Sequence, residues 1–191
     1  MKKSYYKKNK TNQFIIGLVC SCLFLSLPLH AKKLKPKSVP DLRVLIDVSG
    51  SMKKNDPSNL RRSALKLLIG LMPEGAYADV WVFGGKTRQL IKRSKVNADW
   101  KKRAKKVITG IHSRGQFTDI EAILNRSTKQ WGEKNNKFNR SVILLTDGVV
   151  DVSKIKSESV GSRERVVQEV LPALVKKGVT IHTVALSKYA D

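Results

Sequence analysis

Val44-Leu45-Ile46-Asp47-Val48-Ser49-Gly50-Ser51-Met52 is the stretch on which the fold turns. Its first three residues form an unbroken apolar run, the pattern of a strand buried on both faces. Asp56-Pro57 follows and predicts a helix start, with Asp56 capping and Pro57 at the first helical position. A strand therefore ends in a loop that carries one carboxylate and two hydroxyls at alternate positions. In an open α/β sheet, ligands bind at the carboxyl ends of strands. Asp47, Ser49 and Ser51 offer only hard oxygen donors, which suit Mg²⁺ or Mn²⁺ rather than zinc. Gly50 lets the backbone turn tightly between the two serines.

The pattern continues downstream as strands alternating with helices. The first strand is expected over Arg43 to Val48. The first helix is expected from about Pro57 to Leu71, with Leu60, Ala64, Leu67, Leu68 and Leu71 as its inward stripe. Ala78 to Phe83 reads as a second strand, turned by Gly84-Gly85. Thr87 to Ile91 returns as a short neighbour, one antiparallel member of a mostly parallel sheet. Asn97 to Ile111 is helical, with Trp100, Ala104, Val107, Ile108 and Ile111 inward. Ile120, Ile123, Leu124 and Trp131 mark the buried side of another helix, which Thr118 opens. Ser141 to Leu145 is a strongly apolar strand that ends in Thr146-Asp147-Gly148. A helix over Gly161 to Lys177 turns Val167, Val170, Leu171 and Leu174 inward, is kinked by Pro172 and is capped by Gly178. Val179 to Leu186 is the last strand. The class is α/β: a doubly wound, mostly parallel twisted sheet with helices on both faces.

The first 31 residues have a different character. Residues 1–13 hold five Lys and no acid, and Phe14 to Leu29 is a 16-residue apolar run ending near Ala31. Basic, apolar, then small is the layout of a secretory signal peptide, although an uncleaved N-terminal anchor remains open. Both cysteines, Cys20 and Cys22, lie in this segment, so disulfides and thiolate metal sites are not expected in residues 32–191. Residues 32–40 read as a basic linker and 41–191 as the folded domain, with C-terminal elements expected to be missing beyond the last strand. The net charge of +23 divides into +9 for residues 1–40 and +14 for residues 41–191. The domain is basic in its own right, which favours acidic proteins, anionic membrane surfaces or nucleic acid as partners. For an exported chain, nucleic acid is the least favoured of the three.

Asp47, Ser49 and Ser51 are joined by two distant pieces. Phe117-Thr118-Asp119 follows a glycine-containing loop, and Leu144-Leu145-Thr146-Asp147-Gly148 ends the apolar strand. This set resembles the von Willebrand factor type A (VWA) domain with its metal-ion-dependent adhesion site. The family motif is Asp-x-Ser-x-Ser with a distant Thr and a distant Asp. Asp47, Ser49, Ser51, Thr118 and Asp147 match it in order, and Met52 is common in bacterial members. The resemblance spans Asp41 to Leu186 and implies a Rossmann-like sheet with one antiparallel edge strand. It also implies Mg²⁺ or Mn²⁺ held by those five residues, and a protein ligand that supplies an Asp or Glu carboxylate to the metal. By the same resemblance the chain would be no enzyme, and would be periplasmic or membrane-associated in a Gram-negative bacterium.

Each residue also has a plainer role open to it. Ser49 and Ser51 are good capping residues, Thr118 is a good helix N-cap, and Asp147-Gly148 fits an ordinary turn. Asp119 and Asp151 read as helix-terminus and loop acids. His112 and His182 have no Cys or His partner at metal-ligand spacing. Lys86 to Lys106 holds ten basic residues against one acid, Asp99, which makes it a solvated face or a surface for acidic partners or anionic lipid. A phosphatase of the aspartyl-phosphate type would want an acid two residues after Asp47, where Ser49 stands.

Overall fold

A computed structural model of the chain describes residues 38–148 and 150–186. The expected signal segment, residues 1–31, lies outside them, as does residues 32–37 of the expected linker. The first strand, β1, runs Val39–Asp47. The linker expectation therefore extended too far, because Val39 and Pro40 pair with Phe138 and Asn139 of a neighbouring strand.

The other strands are β2 (Tyr77–Phe83), β3 (Arg88–Lys95), β4 (Phe138–Thr146) and β5 (Val179–Ala185). Their order is β3-β2-β1-β4-β5. Only β3 is antiparallel, against β2; β1 pairs parallel with β2 and β4, and β4 with β5. The carboxyl ends of β1, β2, β4 and β5 thus share one rim, as the β/α alternation predicts.

β1 is central, which accounts for its apolar run. Val44 and Ile46 enter the core layer on one face of the sheet and Leu45 enters the layer on the other. Each such fully buried side chain is worth about 1.5–3 kcal/mol. The first layer is closed by α2 (Leu60–Leu71) and α3 (Ala98–Val107), the second by α4 (Ile120–Thr128) and the long helical run that follows β4. That run comprises α5 (Lys156–Arg165), a π-helical turn (Val166–Val170) and α6 (Leu171–Lys176).

Three expectations need correcting. Asp56 does cap the first long helix, but from farther upstream: its carboxylate accepts from Leu60 N at 2.5 Å and Arg61 N at 3.2 Å. Before it, Met52–Asn55 forms a single turn, α1. The stripe on α2 is also rotated. Arg61, Leu65 and Ile69 are buried and the expected Ala64 and Leu68 pack against the core beside them, while Leu60, Leu67 and Leu71 are 58%, 63% and 71% exposed. The physical reason is Arg61, which is fully buried in an ion pair with Asp56 at 2.7 Å and turns its own side of the helix inward. Finally, Val167 faces solvent and Val166 takes its place in the core.

At the opposite rim, Arg43 is held inside the sheet layer. It bonds Asp41 at 3.0 Å, lies 3.3 Å from Asp79 and sits 4.4 Å from the Trp131 ring centroid. Asp41 also accepts from Trp131 Nε1 at 2.9 Å and pairs with Arg93 at 3.0 Å. Buried charge is tolerated there because it is paired and hydrogen-bonded.

Candidate functional site

β1 delivers Asp47 fully buried at the shared rim. One carboxylate oxygen accepts from Ser49 N at 2.8 Å, and the other accepts from the Thr146 hydroxyl at 2.7 Å. Thr146 is the last residue of β4, so the two strand ends are tied together through this side chain. Its hydroxyl also accepts from Gly148 N at 3.1 Å, which shapes the turn after Asp147.

The serines are placed by the same loop. Ser49 is buried and Ser51 exposed, and their hydroxyl oxygens lie 2.9 Å apart. Ser51 occupies the N-cap position of α1, yet its side chain bonds no backbone N–H there. The plain capping role is therefore not the one it performs. The same holds for Thr118. Asp119, not Thr118, is the N-cap of α4, and its side chain accepts from Ala122 N at 2.8 Å.

Thr118 is buried on the adjoining loop. Its backbone exchanges two hydrogen bonds with Asp151, which ties this loop to the segment after β4. Three residues earlier, Gly115 bridges to Ser49 and donates its N–H to Val48 O at 2.8 Å. Close backbone contact makes this possible. A Cβ on Gly115 would collide with the Gly84 backbone, and one on Gly84 would lie 2.9 Å from Ser49 N. Glycine at both positions lets three loops stack beside the serines.

Asp147 follows β4 directly, half-buried, and accepts from Asn55 Nδ2 at 2.8 Å. Its charge reaches Asp47. Burial raises the Asp47 carboxyl above its ordinary range and the Asp147 charge adds to this, while the Ser49 and Thr146 hydrogen bonds oppose it. Among the described residues no Lys or Arg is paired with Asp47.

The structure thus gathers Asp47, Ser49 and Ser51 into one bonded network with Asp147 beside it, and sets Thr118 on the loop stacked against them. Sequence reasoning missed Thr146 and Asn55 as members. Thr146 was visible as the hydroxyl before Asp147, but nothing in the spacing assigned it to Asp47. Asn55 carried no signal at all. Among the described residues no group of three or more His, Cys, Asp or Glu is placed to hold a metal, so any ion here would rely on hydroxyl donors.

The fold is a doubly wound α/β sheet with a hydroxyl-rich, carboxylate-containing loop at its switch point, the place where ligands bind in open α/β sheets. Residues 42–150 match the von Willebrand factor type A domain, and the chain belongs to that family. No curated protein matches it in sequence. Solved structures show the same fold at low identity. A von Willebrand factor type A protein from Catenulispora acidiphila is 17% identical with a TM-score of 0.55, over 77% of this chain and 39% of that one. The conserved hypothetical protein BatB from Bacteroides thetaiotaomicron is 17% identical with a TM-score of 0.53, over 76% and 65%. The manganese-loaded TRAP protein of Plasmodium vivax is 21% identical with a TM-score of 0.57, over 80% and 58%. The match thus spans less than two thirds of each of these proteins.

Proposed function

We propose that this chain is a metal-dependent protein-binding module rather than an enzyme. In this reading Asp47, Ser49, Ser51, Thr118 and Asp147 hold Mg²⁺ or Mn²⁺. The observation that carries it is the Ser49 and Ser51 hydroxyls 2.9 Å apart, with Ser51 making no capping bond, beside a buried Asp47 that among the described residues has no cationic side chain for a partner. A desolvated carboxylate next to a second carboxylate is unfavourable alone, and a divalent cation offsets both charges. The donors are all hard oxygens, which fits these ions. Bound there, the ion supplies a Lewis-acid position for a carboxylate of a protein ligand. The chain's own residues orient it: Thr146 and the Ser49 amide fix the Asp47 carboxylate, and Asn55 fixes that of Asp147. The manganese-loaded state of the TRAP structure is in keeping with this reading. The basic-apolar-small start of the chain supports export to a periplasmic or membrane-associated location. Among the described residues no helix is long and apolar enough to cross a membrane.

Calorimetric titration of the full chain with Mg²⁺ and Mn²⁺, beside Asp47→Ala, tests the reading, with circular dichroism confirming the fold of both. Saturable binding in the parent, weakened at least tenfold in a folded Asp47→Ala, is the expected result. Equal binding in both, or none in a folded parent, would remove the metal from the function.

A further inference from the structure

Beside the Asp47–Ser51 loop lies a cleft of about 520 Å³. Its floor is apolar, made by Val48, Val82 and Phe117, and the glycine stack of Gly84 and Gly115 forms part of its wall. Among the described residues its charged lining is cationic or imidazole, Lys86, Arg88, Arg114 and His112, with no acid. Val48, Gly84 and Gly115 belong both to this cleft and to the backbone stack that supports Ser49, so the two sites adjoin.

The cationic character is built in from behind as well. Arg61 bonds the His112 carbonyl and the Ser113 hydroxyl, and Arg62 bonds the Ile111 carbonyl, so α2 holds the His112–Arg114 segment with two guanidinium groups. Asp56, which accepts from Arg61, is fully buried and committed to that pair. Burial lowers the His112 pKa, and the charges of Arg114, Arg88, Arg61 and Arg62 lower it further, so one ring senses four guanidiniums. His112 Nδ1 accepts from Arg114 N at 3.3 Å, which leaves Nε2 as the ring's donor.

We propose that this cleft is a second recognition site that takes clustered Asp or Glu side chains of a protein partner, next to the carboxylate engaged at the Asp47–Ser51 loop. It rests on the module reading above and adds a selection rule to it: a partner with one acid is held weakly, and one with a run of acids is held well. The apolar floor suits the methylene stems of such side chains, and the cations at the rim suit their carboxylates. Arg88 and Arg114 are both exposed, so they are available to a ligand and replaceable without opening the core.

The test uses a fluorescein-labelled hexa-aspartate peptide against the full chain, followed by anisotropy in Mg²⁺ and in EDTA. The variants are Arg88→Ser/Arg114→Ser and Asp47→Ala, with vesicles of phosphatidylglycerol as a separate arm. The expected result is a loss of at least tenfold in peptide affinity in the double arginine variant, with its Mg²⁺ titration unchanged. Sensitivity to the double variant that persists in EDTA sustains the cleft, whether or not the Mg²⁺ titration upholds the metal reading. Binding lost in Asp47→Ala but unchanged in the double variant overturns the cleft and leaves the metal reading standing. Failure of the parent to bind the peptide, or arginine-dependent binding of vesicles alone, also overturns it.

Discussion

Asp79 lies 2% exposed beside Arg43, yet its carboxyl is pushed up to about 6 because burial outweighs the attraction of the guanidinium. A carboxyl whose folded pKa exceeds its ordinary value of 3.8 favours the folded state most below about pH 4. That contribution is lost as pH rises through about 6. The difference amounts to about 3 kcal/mol. Urea denaturation at pH 4 and pH 7 should therefore show a decline in the parent that is larger, by about 2 kcal/mol, than in Asp79→Asn. Equal declines would place the charge burden elsewhere. At the rim site, residue chemistry was more legible. The alternation of Asp47, Ser49 and Ser51 after an apolar run predicted a hard-oxygen cluster, and the structure brings the three together: Asp47 accepts from the Ser49 backbone N–H, and the two serine hydroxyls lie 2.9 Å apart. Thr146 escaped notice because it meets Asp47 across 99 residues of chain, a distance that no local spacing encodes.

At the scale of elements, α2 shows how a period can be right and a face wrong. Leu60, Leu67 and Leu71 share helical spacing, and so do Arg61, Leu65 and Ile69, one step round the cylinder. Hydrophobicity favoured the first row, but the buried Arg61–Asp56 pair selected the second. Leu65→Ala should destabilise the fold by about 2–5 kcal/mol, while Leu67→Ala should change it by no more than about 0.5 kcal/mol. Thermal or urea unfolding of the two variants checks this, and comparable losses would restore the discarded row. The last helical run carries a related lesson. Pro172 was expected to kink it, and a π-helical turn at Val166–Val170 lies just ahead of α6. Proline has no N–H to donate, and a wider turn accommodates that loss. The core then takes Val166, Val170 and Leu174, and Val167 is turned outward.

For the molecule as a whole, β1 and β4 each have a strand on both sides, whereas β3 and β5 are the sheet's edges. Val44 to Ile46 are fully buried, and Val184 in β5 is 41% exposed. Native-state hydrogen exchange should be slowest at Val44–Ile46 and Val142–Leu145, and faster by orders of magnitude at Thr183–Ala185. Equal protection across all four parallel strands would mean that the edge is as firmly held as the centre. The sequence by itself determined the class of fold, the burial of Val44-Leu45-Ile46 and the residue types at the rim. Those properties follow from local periodicity and from the rule that parallel strands end on one side. Only the tertiary structure decided which row of α2 faces the sheet, that Asp119 rather than Thr118 caps α4, and that Thr146 and Asn55 complete the rim network. It also placed a basic cleft, with no acid among its described lining residues, against that rim. Each of those outcomes depends on which distant residue arrives to pair with a buried polar group, and that pairing exists only once the chain has folded.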